Sequence, residues 1–72
     1  MAEREPDYAV AKVIMARGRW QAQAPLRFSD RETALQFARE AAEEQRAARS
    51  KGDPGMRIVV TQGARLIREY KV

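Results

Sequence analysis

Very few side chains of this sequence could carry out covalent chemistry or bind a metal. The chain has 72 residues with no cysteine and no histidine, which excludes thiolate and imidazole catalysis and the metal sites built on those ligands. Aliphatic hydroxyls occur at four positions, without a histidine to activate them: Ser29, Thr33, Ser50 and Thr61. The carboxylates Glu40, Glu43 and Glu44 fall in an expected exposed helix, where a catalytic role is not expected. We therefore expect a protein that is not an enzyme and that uses no metal and no cofactor.

Recognition of negative charge is the chemistry for which the sequence is best supplied. It has 14 Lys and Arg residues against 10 Asp and Glu residues, a net charge of +4, and 11 of those bases are arginine. The planar guanidinium group of arginine pairs well with phosphate and carboxylate groups. Ten bases are candidates for binding a protein partner or nucleic acid: Lys12, Arg17, Arg19, Arg27, Arg39, Arg46, Arg49, Arg57, Arg65 and Lys71.

The elements that would position these bases form one small domain. Residues 1–7 are polar and acidic, and we expect a flexible tail there, followed by a single domain over residues 8–72. The sequence shows neither the basic start and apolar run of a signal peptide nor an apolar stretch long enough to span a membrane. Together with the absence of cysteine, this favours a cytoplasmic protein, in the cytoplasm of the bacterial host if a phage encodes it.

A β-hairpin is predicted at the start of the domain. Residues 8–15 are rich in β-branched and small apolar side chains, and residues 20–26 alternate between apolar and polar side chains, which is typical of a half-buried strand. A two-residue turn at Arg17-Gly18 pairs Met15 with Trp20. We expect this pair to face the core, with the other apolar side chains of residues 20–26 on the same side.

A helix follows the first hairpin. Residues 29–32, Ser-Asp-Arg-Glu, match the capping-box pattern and predict Ser29 as the N-cap. Helical spacing of apolar residues continues until glycine and proline stop it, so we expect the helix to end near Ser50 or Lys51. Leu35 and Phe37 are the expected core contacts. They are accompanied by small residues that let the helix lie close to a sheet: Ala34, Ala38, Ala41, Ala42 and Ala48.

A second hairpin is predicted from residues 56–62 and 66–72. A three-residue loop over residues 62–64 gives one apolar face, because it pairs Val60 with Leu66 and Met56 with Tyr70. The same register sets Arg57 opposite Glu69 as an ion pair on the other face.

The predicted fold is therefore α+β, with the order β-β-α-β-β and a four-stranded, mainly antiparallel sheet covered by the helix on one face. Positive charge is expected to gather on the uncovered face, opposed there by Glu69 alone. The residues assigned to that face are Lys12, Arg19, Gln21, Gln23, Arg27, Arg57, Thr61, Arg65 and Lys71. Such a face has three interpretations: a solvated surface, a phosphate-binding surface or a docking site for an acidic protein.

The predicted core is thin. The chain has 13 Leu, Ile, Val and Phe residues and 13 alanines, and a domain of this size often needs a partner for stability. Apolar side chains are also expected on the uncovered face, at Val10, Ile14, Val59 and Ile67. A second copy of the chain, forming a homodimer, or another protein would cover them.

Two resemblances accompany this pattern. Trp20 at the start of the second strand, Phe28, Thr33-Ala34 and Gly63 resemble positions of small bacterial β-β-α-β-β domains of unknown function. The chain also resembles small phage-encoded anti-CRISPR proteins directed at type I surveillance complexes. The stretches that carry this second likeness are residues 8–13, residues 34–45, Met56-Arg57-Ile58, Gly63 and Tyr70-Lys71.

The anti-CRISPR resemblance implies a non-enzymatic inhibitor that lies on the protein backbone of the surveillance complex and blocks binding of target DNA. It also implies that exposed bases of the helix and of nearby turns make the contacts. The candidates here are Arg39, Arg46 and Arg49, between which Glu40, Glu43 and Glu44 are interspersed. The alternatives are a basic nucleic-acid-binding domain that uses its sheet face, or a dimeric bacterial domain of another function.

Overall fold

The structure of the protein, a computed structural model, describes residues 7–72. Most of the predicted tail therefore lies outside the described residues; Asp7 is exposed and belongs to no strand. Five strands and one helix follow in the order β1 (Tyr8–Ala16), β2 (Arg19–Ala22), β3 (Leu26–Phe28), α1 (Arg31–Ala48), β4 (Met56–Gln62) and β5 (Arg65–Lys71). The α+β class is confirmed, although the sheet has five strands where four were predicted.

The sheet is antiparallel at every pairing, with β1 and β4 at its centre. Its order is β2-β1-β4-β5, and β3 also pairs with β1. Both β2 and β3 lie along the same edge of β1, β2 beside the end of that strand and β3 beside its start. The two short strands thus form one interrupted edge, and β5 forms the opposite edge.

The predicted strand over residues 20–26 is interrupted by residues 23–25, which include Pro25. Val13 pairs with Ala22 and Val10 pairs with Leu26, so the edge has one residue more than β1 between these two pairs. An extra residue reverses the alternation of side chains. The expectation that the apolar side chains of residues 20–26 all lie on one face is therefore wrong. Those of β2 lie on one face of the sheet, and Leu26 of β3 lies on the other.

The core identifies which face of the sheet the helix covers. Val10 of β1 and its partner Val60 of β4 are buried together with Ile58, against the alanines of α1. Trp20 and Met15 lie on the other face of the sheet, away from the helix. The prediction that they face the core is therefore wrong, although their pairing is confirmed. The strand β1 is apolar on both faces, so its own pattern could not decide the orientation; pairing with β4 does.

The helix begins one residue later than predicted and ends earlier. Asp30, not Ser29, is the N-cap, and its carboxylate accepts hydrogen bonds from the backbone N–H and the hydroxyl of Thr33, both at 2.9 Å. The C-terminal end lies at Ala48, because the Asp53 carboxylate accepts a hydrogen bond from the N–H of Ser50 and closes a turn there.

Alanines supply the helix side of the core. Ala34, Ala38 and Ala42 have no exposed surface, whereas Phe37 remains 37% exposed and Leu35 is half-buried. The expectation that Leu35 and Phe37 are the main core contacts is therefore wrong for Phe37, whereas Leu35 does pack against the core from its margin. Small side chains let the helix axis come close to the sheet, and this leaves longer side chains at the margins of the contact.

The second hairpin has a shorter turn than predicted. Gln62 pairs with Arg65 around the two-residue turn Gly63-Ala64, and Gly63 has a φ of +61°, which glycine adopts at little cost. A bulge beside Val60 and Thr61 then changes the register. Val60 consequently pairs with Arg68 rather than with Leu66, and Ile58 rather than Met56 pairs with Tyr70.

Candidate functional site: the open sheet face

The side of the sheet opposite α1 has no other element of residues 7–72 packed on it, and we call it the open face. Strand pairing assigns to it Ala9, Ala11, Val13 and Met15 of β1, Trp20 and Ala22 of β2, Arg27 of β3, Arg57, Val59 and Thr61 of β4, and Leu66, Glu69 and Lys71 of β5. None of these residues is buried. The apolar side chains run along β1, and the bases lie on the flanking strands.

Three side chains form a connected cluster at one end of the open face. The guanidinium carbon of Arg57 lies 4.5 Å from the ring centroid of Trp20, a cation–π contact. On its other side, Nη1 of Arg57 is 3.5 Å from Oε2 of Glu69. The predicted ion pair is therefore present, although the two residues are diagonal neighbours: Arg57 pairs with Lys71, and Glu69 pairs with Val59.

Glycine allows the indole of Trp20 to lie against the chain that enters β4. A Cβ atom added to Gly55 would be only 3.2 Å from Cη2 of Trp20, closer than ordinary packing. The backbone N–H of Met15 also donates to the carbonyl oxygen of Gly55 at 2.9 Å. These contacts fix the ring on the surface of the sheet, where 41% of Trp20 remains exposed.

The charge of the open face is positive but smaller than predicted. Arg27, Arg57 and Lys71 contribute three positive charges, and Glu69 contributes one negative charge. Arg57 and Lys71 are direct partners across β4 and β5, while Arg27 lies toward the opposite end, beside Ala9. Arg57 and Lys71 are opposed by Glu69 alone, so one positive charge remains unbalanced beside the exposed indole of Trp20.

Several bases assigned to this face lie elsewhere. Lys12 and Arg19 lie on the helix side of the sheet, because the first hairpin turns toward the helix the face that was predicted to be uncovered. Arg65 pairs with Gln62 on that side because the turn has two residues rather than three. The same corrections apply to Gln21. Arg17 occupies the tip of the first hairpin with a φ of +53°.

Two of the helix bases that the resemblance marked for partner contacts are engaged with the protein backbone. Arg46 donates from Nε to the carbonyl oxygen of Lys71 at 3.1 Å, which ties α1 to the end of β5. Arg49 donates to the carbonyl oxygens of Asp53 and Pro54 at 3.2 and 2.8 Å, which holds the loop before β4. Arg39 is exposed and lines a shallow groove. The first two therefore have structural roles.

Sequence reasoning missed Trp20 as a surface residue. Pro25 indicated an interruption of the strand after Trp20 but not the face that Trp20 takes, because that face depends on the pairing of β1 with β4. The charged side chains of the open face, three bases and one acid, could not together chelate a metal. Across residues 7–72, no group of three or more His, Cys, Asp or Glu side chains is arranged to hold a metal ion.

The geometry defines a small α+β protein with an uncovered, basic sheet face. Comparison with protein-family models, with curated proteins and with solved structures found no match to this chain. Within residues 7–72, no helix is long and apolar enough to cross a membrane.

Proposed function

We propose that the chain is a non-enzymatic interaction protein that docks a negatively charged protein surface on its open face. The observation that carries this proposal is the exposed Trp20 ring under the guanidinium of Arg57. Tryptophan and arginine are enriched among the residues that dominate binding energy at protein interfaces. Val13 and Val59 provide an apolar centre next to them, and the surrounding bases match an acidic rim on the partner.

The concrete version of this proposal is an inhibitor of a type I CRISPR surveillance complex. Its support is the resemblance to anti-CRISPR proteins together with the basic open face. That face would bind an acidic surface of the assembly, and the bound protein would compete with target DNA. Within this version the open face, rather than the helix, makes the contact, because Arg46 and Arg49 hold backbone carbonyls of the protein itself.

Co-elution of the purified protein with a type I surveillance complex tests this version. We expect a stable complex that excludes target DNA, and we expect Arg27→Glu combined with Lys71→Glu to weaken it by about tenfold or more, since charge reversal at an interface adds repulsion. Arg65→Glu is the matched control, because it reverses one charge off the open face. Absence of co-elution rejects the inhibitor version, and equal loss with the control rejects the open face.

A second candidate function, binding of single-stranded nucleic acid, is favoured by the same Trp20–Arg57 pair. Single-strand binders combine a basic groove with an aromatic side chain on which a base stacks. Trp20 was expected to face the core, and its position on the open face makes its ring accessible for such stacking.

Intrinsic fluorescence tests the second candidate directly, because Trp20 is the single tryptophan of the chain. Titration with a single-stranded oligonucleotide at low salt should quench it through base stacking. If Arg27, Arg57 and Lys71 each contact a phosphate, the logarithm of affinity should fall with the logarithm of salt concentration with a slope of about −2. No quenching and no retardation at low salt reject this function and leave the protein partner.

A further inference from the structure

A groove on the helix side of the sheet is separate from the open face. It lies where α1 passes the interrupted edge of the sheet, and its volume is about 210 Å³. The apolar lining comes from Val10 and Ile58 of the core, Leu26 of β3, and Phe37 and Ala41 of α1. The break at residues 23–25 and the small side chain of Ala41 leave the space that a longer side chain would occupy.

Two of the lining residues are large apolar side chains that the fold leaves uncovered. Leu26 is 54% exposed and Phe37 is 37% exposed. Both line the groove, and the ring of Phe37 also packs against that of Phe28, with 5.1 Å between the ring centroids. Exposed apolar surface concentrated in a concave site is typical of a ligand pocket.

The polar part of the lining has a single sign of charge. Lys12 contributes a cation, and no acidic side chain among residues 7–72 lines the groove. Within residues 7–72, Lys12 has no ion pair, and its side chain makes no hydrogen bond. Gln23 adds an amide that can donate a hydrogen bond. A cation without a partner at the margin of an apolar groove is complementary to a carboxylate attached to an apolar body.

We infer that this groove binds a small-molecule carboxylate with one aromatic ring or a short alkyl chain as its apolar part. The size argument is that an apolar cavity of about 150 Å³ holds benzene, so the volume here suits one ring and its acidic substituent. The ring would lie between Leu26 and Phe37, and the carboxylate would pair with Lys12. This inference is independent of the proposed function, because no open-face residue lines the groove.

The test is a titration of the ¹⁵N-labelled protein with phenylacetate and, as the neutral counterpart, phenylacetamide, followed by backbone amide shifts. We expect saturable shifts confined to the residues around Val10, Leu26, Phe37 and Ala41. Phenylacetate should bind about fivefold more tightly than phenylacetamide, the scale of a partly exposed ion pair. Lys12→Gln should abolish this preference while leaving the amide ligand unaffected.

A second variant tests the groove without changing its charge. Ala41→Met should fill the space and abolish binding of both probes, whereas Ala47→Met, on the exposed side of α1, should leave binding unchanged. Absence of saturable shifts overturns the inference, and so does a Lys12→Gln variant that still binds phenylacetate more tightly than phenylacetamide by the native ratio. So does a dimer of the native chain that Ala41→Met converts to a monomer, because a second copy would then occupy the groove.

Discussion

At the scale of single residues, the clearest division is between charged groups that hold the fold and charged groups that remain available. Asp30 belongs to the first kind. Its carboxylate accepts the N–H and hydroxyl of Thr33 at the start of α1, and the hydrogen bond from the N–H lowers the pKa of Asp30 below its ordinary value of 3.8. A negative charge is also favourable at a helix N-terminus. Asp30 is thus a structural group, and its titration affects folding.

Replacement of Asp30 should therefore change stability in a pH-dependent way. Well above pH 3.8 the carboxylate is ionised in both the folded and the unfolded chain, and its stabilising effect is complete. As the pH falls below that value, the unfolded chain binds the proton first, so the effect is lost as pH passes through the lowered pKa of the folded state. Asp30→Ala should lower the Tm at neutral pH and should cause little change in strong acid.

Asp30→Asn is the matched variant for this experiment, because asparagine also caps helices but does not titrate. It should retain most of the Tm at neutral pH and should lose less than the native chain on acidification. Thermal melts of the three proteins across the acid range provide the measurement. A constant difference between the native chain and Asp30→Ala at every pH would contradict the role assigned to the carboxylate.

At the scale of elements, α1 is matched to the sheet by its alanines. Ala34, Ala38 and Ala42 have no exposed surface and contact a sheet face centred on Ile58 and Val60, which are equally buried. The small side chain of Ala41, on the same helix, leaves space for the groove between α1 and the sheet edge. The helix therefore requires small residues at some positions of its inner face, and its larger apolar residues lie at the margins.

Enlargement of one of these alanines should destabilise the domain. Ala38→Leu would insert a branched side chain between α1 and β4, and overpacking of this kind costs about 1–3 kcal/mol. The control is Ala47→Leu on the exposed side of the same helix, which should be nearly neutral because both residues are good helix formers. Urea unfolding of both variants measures the difference. Equal midpoints would show that α1 does not lie as close to the sheet as the structure indicates.

At the scale of the whole molecule, sequence patterns predicted the elements better than their faces. The helix, the first turn and the Met15–Trp20 pairing could be predicted because glycine, proline and capping residues act locally. The orientation of β1 could not, because both of its faces are apolar and the decision depends on pairing with the distant strand β4. The inverted first hairpin and the shorter turn of the last hairpin then placed half of the predicted bases, Lys12, Arg19 and Arg65, on the other side.

The same asymmetry carries into the candidate site. Arg57 and Lys71 were placed on the open face correctly, because β4 and β5 have a polar side that alternation identifies. Arg27 was also placed correctly, because its neighbour Leu26 in β3 lies on the helix side, beside Val10. Trp20 was missed, since the face that it takes depends on the pairing of β1 with the distant strand β4. The site therefore combines a predictable basic component with an aromatic component that depends on tertiary structure.

The distribution of the core predicts which parts of the molecule open first. Ile58, Val60 and Val10 lie on the two central strands under the helix, whereas all four residues of β2 are exposed and α1 does not contact that strand. Amide exchange at the centres of β1 and β4 should therefore require opening of most of the domain, while β2 opens locally.

We expect amides of β2 that are hydrogen-bonded to β1 to exchange at least about tenfold faster, after correction for intrinsic rates, than those of Ile58 and Val60. Native-state exchange followed by nuclear magnetic resonance measures this, with concentration varied as the control for association. Equal protection of β2 and β4 would contradict it, and protection of β2 that rises with protein concentration would indicate that a second copy covers the uncovered end of the sheet, next to Trp20.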